Sequence, residues 1–445
     1  MFRSLTSSYF YSKFFLLNTN SSAYYERLIR NQCLSSRELA ELNWRKRKKL
    51  LRYAYKSVPF YRRKFKAAGI IPDDVKTPDD FLKIPFLTKN DIRENLADIM
   101  AMEVDKRYFQ VSTTGGSTGI PLRVYHDRRV PLHAIGWRLL ARWDLAPWDD
   151  GAFVFRDVRQ SRFQDLAYCA FWWPTKRVLL DAASMTESSI RCFIRKYKCI
   201  KPRLLQGYVG AICHLAEYVD DHCIELPPPK AVWLTSSPIS EVQRNLVEKV
   251  FNAPVYDQYG CGEVYWLAAE CNQHTGLHIE SDIRHIEFVK NGEICAEGEF
   301  GDIVVTDLEN YAFPIIRYLN EDRGRLIEGQ CPCGLPFPLM DHVRGRESDM
   351  IRLPNGTVLS GDFLTTIFDA CPEAVKMFQF IQNADYSIVL RFVPNKSYRD
   401  YRGAIGKVRN ILLEKTQQQV PVLMEATEDI PSQGGKLKFI ISKLS

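Results

Sequence analysis

Apolar side chains along this chain recur in two rhythms, and the places where the rhythm changes mark its organisation. Over residues 35–69 they fall at helical spacing: Leu39, Leu42, Trp44, Leu50, Leu51 and Ala54 share one side, which predicts an amphipathic helix. The run Arg45-Lys46-Arg47-Lys48-Lys49 falls on the other side and reads as a solvated face. Pro59-Phe60-Tyr61 breaks that helix, and a further helical turn ends at Gly69. Thr77-Pro78 opens another helix, and Thr88 is the expected cap of one beginning at Lys89-Asn90-Asp91. Two β-prone stretches, Tyr108 to Val111 and Arg123 to Tyr125, flank a glycine-rich loop.

Beyond that loop the rhythm alternates. A helix over 131–141 carrying Trp137 is followed by strands at 151–155 and 177–180 and a helix at 188–197. A strand at 204–208, a helix at 209–218, a buried strand at 231–234, a helix at 240–251 and a strand at 255–259 continue the series. Strand–helix–strand alternation of this length predicts an α/β domain. From about Gly276 the pattern turns to hairpins, with Asn291-Gly292 between apolar runs as the sharpest turn signal. Near Gly345 a new unit starts: strand (350–352), helix (362–370), strands (377–381 and 387–392), helix (398–415), strand (422–426). The predicted fold is therefore α/β: a large domain over 35–344 of mixed sheets flanked by helices, with a strand-rich subdomain at about 276–343, then a small α+β domain over 345–445. Residues 1–34 form an N-terminal extension.

Composition narrows the class. The chain has 445 residues, 46% of them hydrophobic, enough to bury a large core. A net charge of +7 fits an anionic substrate or weak attraction to acidic surfaces and does not argue for nucleic acid. No apolar run approaches the ~20 residues of a membrane helix. The patch Phe14-Phe15-Leu16-Leu17 is shorter than a signal-peptide core of ~7–15 residues, so a frayed or surface-docked N-terminus is expected. Twelve cysteines without a disulfide rhythm point to the reducing cytoplasm.

Two constellations carry candidate chemistry. Residues 112–123 read Ser-Thr-Thr-Gly-Gly-Ser-Thr-Gly-Ile-Pro-Leu-Arg, with three glycines and five hydroxyls. Such a loop lets backbone N–H groups approach polyphosphate closely, although Ile120 and Pro121 replace the Lys and helix start of a Walker loop. A plain Ser/Gly surface turn has the same composition, and the loop alone leaves both readings open. Cys271, His278, Cys331 and Cys333 supply four donors suited to tetrahedral zinc, with His274 as a competing ligand and buried free cysteines as the alternative.

Five segments in order resemble the motifs of adenylate-forming enzymes: residues 114–121, Tyr259-Gly260-Cys261-Gly262-Glu263, Phe313-Pro314-Ile315-Ile316-Arg317-Tyr318 with Asp322, residues 344–349, and Gly434-Gly435-Lys436. Within that superfamily the chain is most similar to the phenylacetate–CoA ligase and CapK-like branch. Tyr53-Ala54, Pro59-Phe60-Tyr61-Arg62, Ile84-Pro85-Phe86-Leu87-Thr88-Lys89 and Cys331-Pro332-Cys333-Gly334 carry that likeness. The resemblance implies an AMP-binding domain over 35–344 and a mobile C-terminal domain. The implied reaction is ATP-dependent activation of a carboxylic acid as acyl-adenylate with release of pyrophosphate, followed by acyl transfer to coenzyme A. An amine acceptor in surface-polysaccharide assembly is the alternative acceptor, and an inactive nucleotide-binding assembly component is the alternative class.

The same resemblance assigns roles. Ser112, Thr113, Thr114, Gly115, Gly116, Ser117, Thr118 and Gly119 would hold the phosphates. Tyr259 and Gly260 with Ser236, Ser237 and Pro238 would flank adenine, and Asp322 would accept from the ribose hydroxyls. Glu263 would serve magnesium, Arg346 would act at the hinge, and Lys436 would neutralise charge at the carboxylate and α-phosphate. The acid is expected near 206–211 and 256–263, with Trp137, Tyr208, Tyr265 and Trp266 as walls. Three positions depart from the pattern: Ile120 replaces a lysine, Ser348 a hinge acid, and Gly262 a threonine.

Overall fold

The computed structural model describes the chain except residues 1, 18–19, 115–121, 157–161, 237–238, 240, 344–349, 360–362, 365–366, 369, 372–373, 397, 429, 431–439 and 445. Its contacts divide it into two compact units. One comprises Met1–Ser112, Arg123–Pro147 and Tyr256–Gly345; the other comprises Thr113–Leu122, Trp148–Val255 and Arg346–Ser445. Among the described residues no helix is long and apolar enough to cross a membrane.

In the first unit, helices start where the chain supplies caps. Ser35 with Glu38, Thr77 with Asp80 and Thr88 with Asp91 each form a capping box, so the expected start at Thr88 is met. The helix Ser36–Ser57 buries Leu39, Asn43, Arg47, Leu50, Leu51 and Ala54. The basic run is a solvated face only in part: Arg45 and Lys49 are exposed, Lys46 and Lys48 are half-buried, and Arg47 is buried. Arg47 is 7% exposed, its guanidinium lies over the Trp44 and Phe81 rings, and it reaches His285 Nε2 at 3.3 Å. Lys46 binds the Asp282 carbonyl and the Glu309 carboxylate. Helical period decides this: residue 47 is one turn from Asn43 and one from Leu50 and Leu51, so it shares their stripe.

The N-terminal helix Phe2–Leu17 is docked. Phe10 and Phe14 pack edge-on against Trp137 of the helix His133–Arg142, with ring centroids at 5.3 and 5.1 Å. Trp137 is thus filled by core neighbours, which removes it from the expected pocket walls.

Two antiparallel arrays complete this unit. Leu326–Ile327, Leu339–Met340, Leu277–Ile279, Ala268–Glu270 and the strand ending at Tyr259 follow one another in register. A four-stranded sheet runs Glu293–Ile294, Arg284–Lys290, Gly301–Asp307, Tyr318–Gly324. Its first hairpin pairs Lys290 with Glu293 around Asn291 and Gly292, both at positive φ (53° and 88°), as a two-residue turn between twisted strands demands.

The second unit has a parallel sheet in the order Ala231–Thr235, Leu204–Tyr208, Gly151–Phe155, Arg177–Asp181. Helices Glu187–Ile200, Val209–Asp221 and Glu241–Phe251 connect or flank these strands and bury Ile190, Phe193, Ile212, Leu215 and Val247 with the sheet's valines and leucines. The same unit contains a mixed sheet, Val422–Ala426, Ile388–Pro394, Val375–Gln382, Ile440–Ser442, covered by the helix Tyr401–Lys415. Its core of Phe363, Phe378, Phe380, Leu390, Val408 and Leu412 also takes in Ala183. Lys415 Nζ binds Asp181 at 2.8 Å, and the Ser184 hydroxyl donates to the Lys415 carbonyl.

Candidate active site and metal centre

In the first unit, the strand ending at Tyr259 delivers that tyrosine to a carboxylate 63 residues further along the chain. The Tyr259 hydroxyl donates to Asp322 Oδ2 at 2.9 Å and accepts from Asn320 Nδ2 at 2.6 Å. Asn320 Oδ1 in turn accepts the Asp322 backbone N–H. Burial, and next the Asp322 carboxylate, push the Tyr259 hydroxyl well above its ordinary pKa, so it stays a donor. Gly260 follows, and a Cβ there would sit 2.8 Å from the Trp266 backbone nitrogen; the turn needs glycine for that close approach.

Glu263 is 5% exposed and its Oε1 accepts the Tyr318 hydroxyl at 2.8 Å. Burial raises the Tyr318 hydroxyl, with Glu263 adding to it, so the proton stays on the tyrosine and the carboxylate remains the acceptor. A buried, oriented carboxylate offers the hard oxygen donors that magnesium binds, so Glu263 fits that assignment in its chemistry.

The strand that presents Tyr318, Asn320 and Asp322 is irregular. Leu319 pairs with Val304, yet Arg323 pairs with Asp302, so it carries two residues more than its partner over that interval. Glu321, inside the bulge, has φ of 70° and its carboxylate binds Lys89 Nζ at 2.7 Å. Segments characteristic of the branch resemblance brace this strand. Leu87 exchanges backbone hydrogen bonds with Arg317 and Leu319, and the Tyr61 hydroxyl donates to the Pro314 carbonyl while accepting the Ile316 N–H. Arg317 is spent on Glu287 and on the carbonyls of Leu82 and Ile84. It is a buried fastener.

Of the other expected residues, Ser112 lies in the first unit, its hydroxyl on the Tyr265 hydroxyl at 3.0 Å. Thr113, Thr114 and Ser236 belong to the second unit; Ser236 has a left-handed φ of 81° just past the strand Ala231–Thr235. Gly115, Gly116, Ser117, Thr118, Gly119, Ser237, Pro238, Arg346 and Lys436 lie outside the described residues, as do Ile120 and Ser348. Asn320 and Tyr61 were not singled out as functional. Their signal was present only as an Asn two residues before a motif Asp and a Tyr inside a helix.

The cysteine cluster is assembled by strand register. The hairpin pairing Glu270 with Leu277 brings Cys271 beside His278, and the pairing of Leu339 with His278 swings in the 331–333 turn. The donor atoms of Cys271, His278, Cys331 and Cys333 all lie within 4.8 Å of one another. Cys271 and Cys331 sulfurs are 3.5 Å apart, and Cys333 sulfur is 3.3 Å from His278 Nε2. A tetrahedral zinc spaces its donors roughly 3.3–3.8 Å apart, so the cage has the right size. His278 is fully buried, its Nδ1 donates to the Phe337 carbonyl at 3.1 Å, and burial depresses its pKa, leaving Nε2 as a lone-pair donor. Backbone N–H groups of Gln273 and Leu335 point at the Cys271 and Cys333 sulfurs, as suits thiolates. His274 turns away to Glu270 and stacks on Tyr256, which resolves the competing ligand.

Comparison with known proteins gives the chain's kinship and fold. Residues 351–443 match the CapK C-terminal domain family. The chain is 24% identical to Protein CapK of Staphylococcus aureus over 97% of this chain and 95% of that protein. It is 26% identical to a phenylacetate-coenzyme A ligase of Aromatoleum evansii, over 71% and 72% of the two chains. The solved structure of 2-hydroxyisobutyryl-CoA ligase in an open conformation, in complex with 2-HIB-AMP and CoA, superposes with a TM-score of 0.59 at 21% identity, covering 93% of each chain.

Proposed function

We propose that this chain, a homologue of CapK and of the phenylacetate-coenzyme A ligases built on the adenylate-forming fold, activates a carboxylic acid with ATP and hands the acyl group to coenzyme A. One observation carries the reading. The fold brings Tyr259, Asn320 and Asp322 into one hydrogen-bonded group and seats Glu263 on Tyr318, at the positions where the family motifs predict the nucleotide and metal ligands.

In the first step a carboxylate oxygen attacks the α-phosphorus, the bond from that phosphorus to the bridging oxygen breaks, and pyrophosphate leaves. In the second, the thiol of coenzyme A attacks the acyl carbon, AMP departs, and the thiol proton is lost. Asp322 and Tyr259 would fix the ribose and base. Glu263 would hold magnesium, which when bound neutralises charge on the departing pyrophosphate. Lys436 and residues 112–119 would supply the remaining positive and N–H contacts to the phosphates and the reacting carboxylate. Zinc in the Cys271, His278, Cys331, Cys333 cage would be structural, since four protein donors leave no open position for substrate.

The kinship with CapK spans nearly the whole chain, whereas the ligases align over 71% to 79% of it, and the CapK match includes the C-terminal domain. An amine on a sugar is the second acceptor to test beside coenzyme A. The experiment is ATP–pyrophosphate exchange with a panel of aryl and short-chain acids, followed by product analysis with each acceptor. Acid-dependent exchange that collapses in Lys436→Ala is expected. Tight ATP binding with no exchange for any acid would instead make the protein a nucleotide-binding assembly component.

A further inference from the structure

The residue before the expected catalytic carboxylate is Gly262, where the family pattern has a threonine, and the structure shows what restrains the backbone there. The Gly262 carbonyl accepts His126 Nε2–H at 2.9 Å, and the Ser112 hydroxyl approaches it at 3.4 Å. A carbonyl can only accept, so Nε2 must carry the proton. Ser112 is the last residue of the first unit before the glycine-rich loop, and His126 lies on the strand Leu122–Asp127 leaving it. The two flanks of that loop thus converge on one peptide oxygen, 136 and 150 residues away in sequence.

The imidazole is itself held. It is 2% exposed and stacks on the Tyr265 ring with centroids 4.3 Å apart and planes 22° off parallel. Tyr265 is fixed in turn: its hydroxyl meets Ser112 at 3.0 Å, and its carbonyl accepts two N–H bonds from the buried Arg284, which is anchored on Asp307. Burial lowers the His126 pKa, in keeping with a neutral ring that donates through one nitrogen.

We infer that His126 is a positioning residue: by holding the Gly262 carbonyl it fixes the peptide that leads into Glu263, and so aims the carboxylate. Glycine at 262 has no side chain to restrain that peptide, so its φ and ψ are intrinsically free. The carboxylate accepts the Tyr318 hydroxyl, and a rotated peptide would carry it off that line. The inference rests on the adenylation reading for the role of Glu263, but the tie itself can be judged without it.

The test compares His126→Gln with His126→Asn in the full-length protein. Gln extends an amide N–H to the position of Nε2; Asn is polar and similar in fold cost but falls short. In acid-dependent pyrophosphate exchange, Asn should lower kcat on the order of 100-fold, as a displaced catalytic group does. The magnesium needed for half-maximal rate should rise while the KM for the acid stays unchanged. Gln should restore most of the rate. Hydrogen–deuterium exchange of the 260–265 segment should quicken in Asn and not in Gln. Equal rates in the two variants and wild type, or unchanged exchange of that segment, overturn the inference. If wild type shows no exchange with any acid, the adenylation reading fails by itself, and the hydrogen-exchange contrast still decides whether His126 holds the peptide.

Discussion

The tyrosine–carboxylate network around Tyr259 and the thiol–imidazole cluster around Cys271 occupy the same unit but are built on different principles. The first gathers side chains of unlike chemistry from strands far apart, and its members are bonded to one another as donors and acceptors at the edge of buried and half-exposed space. The second gathers four like donors within one cage and braces them with backbone N–H groups. The lesson is in what a change should cost. A site that acts on a ligand is expected to lose rate while keeping its fold; a closed site is expected to lose its fold and, only through that, its rate.

Four substitutions sharpen or break that contrast. Glu263→Gln keeps the Tyr318 hydrogen bond but removes the charge, so pyrophosphate exchange should fall on the order of 1,000-fold, about 4 kcal/mol, with an unchanged melting curve. A melting curve that fell with the rate would place Glu263 among structural groups. Cys331→Ser should abolish bound metal by elemental analysis and lower unfolding stability by roughly 3 kcal/mol, and a strong chelator should do the same to wild type. Wild-type protein purified without metal and indifferent to chelator would dissolve the distinction altogether. Asp322→Asn should raise the KM for ATP by roughly 30-fold through loss of a charge-assisted bond while kcat and stability hold. Tyr259→Phe removes one neutral hydroxyl and should raise that KM by about 5-fold, read from the same exchange assay. If the last two were reversed in size, the tyrosine and not the carboxylate would be the principal nucleotide contact.

How much of this was legible in the residues depends on how local the cause is. The parallel strands at 151–155, 177–181, 204–208 and 231–235 are short apolar runs, and their length and alternation with helical segments reveal them. The Asn291-Gly292 hairpin and the Thr88 cap are set by two to four neighbouring residues, and both form as expected. The cysteine–histidine set was readable because its donors are chemically rare. Arg47 was misread because composition says charge while helical phase says core, and phase prevails when Trp44, Phe81 and His285 are there to receive it. His126 and Asn320 were invisible, and Tyr61 was legible only as a mark of resemblance, for another reason. Each earns its place through a partner more than 60 residues away, and nothing around an isolated His, Tyr or Asn announces such a partner.

The two surplus residues between Leu319 and Arg323 have a bearing on how this protein can change. A regular strand alternates its side chains, and sheets are repaired or idealised by restoring that alternation. Here Asn320 and Asp322, two apart, share the face that meets Tyr259 as alternation demands, and the surplus pair falls in the same short interval, at the cost of about 1–2 kcal/mol for the left-handed Glu321. Trimming two of the residues 320–322 to make a tidier sheet would remove Asn320 or Asp322, and with it one of the partners of the Tyr259 hydroxyl. Insertions and deletions, more than substitutions, are therefore the mutations to which this strand is least open, and a relative that keeps every motif residue but loses the surplus pair would be expected to have kept the fold and given up the nucleotide.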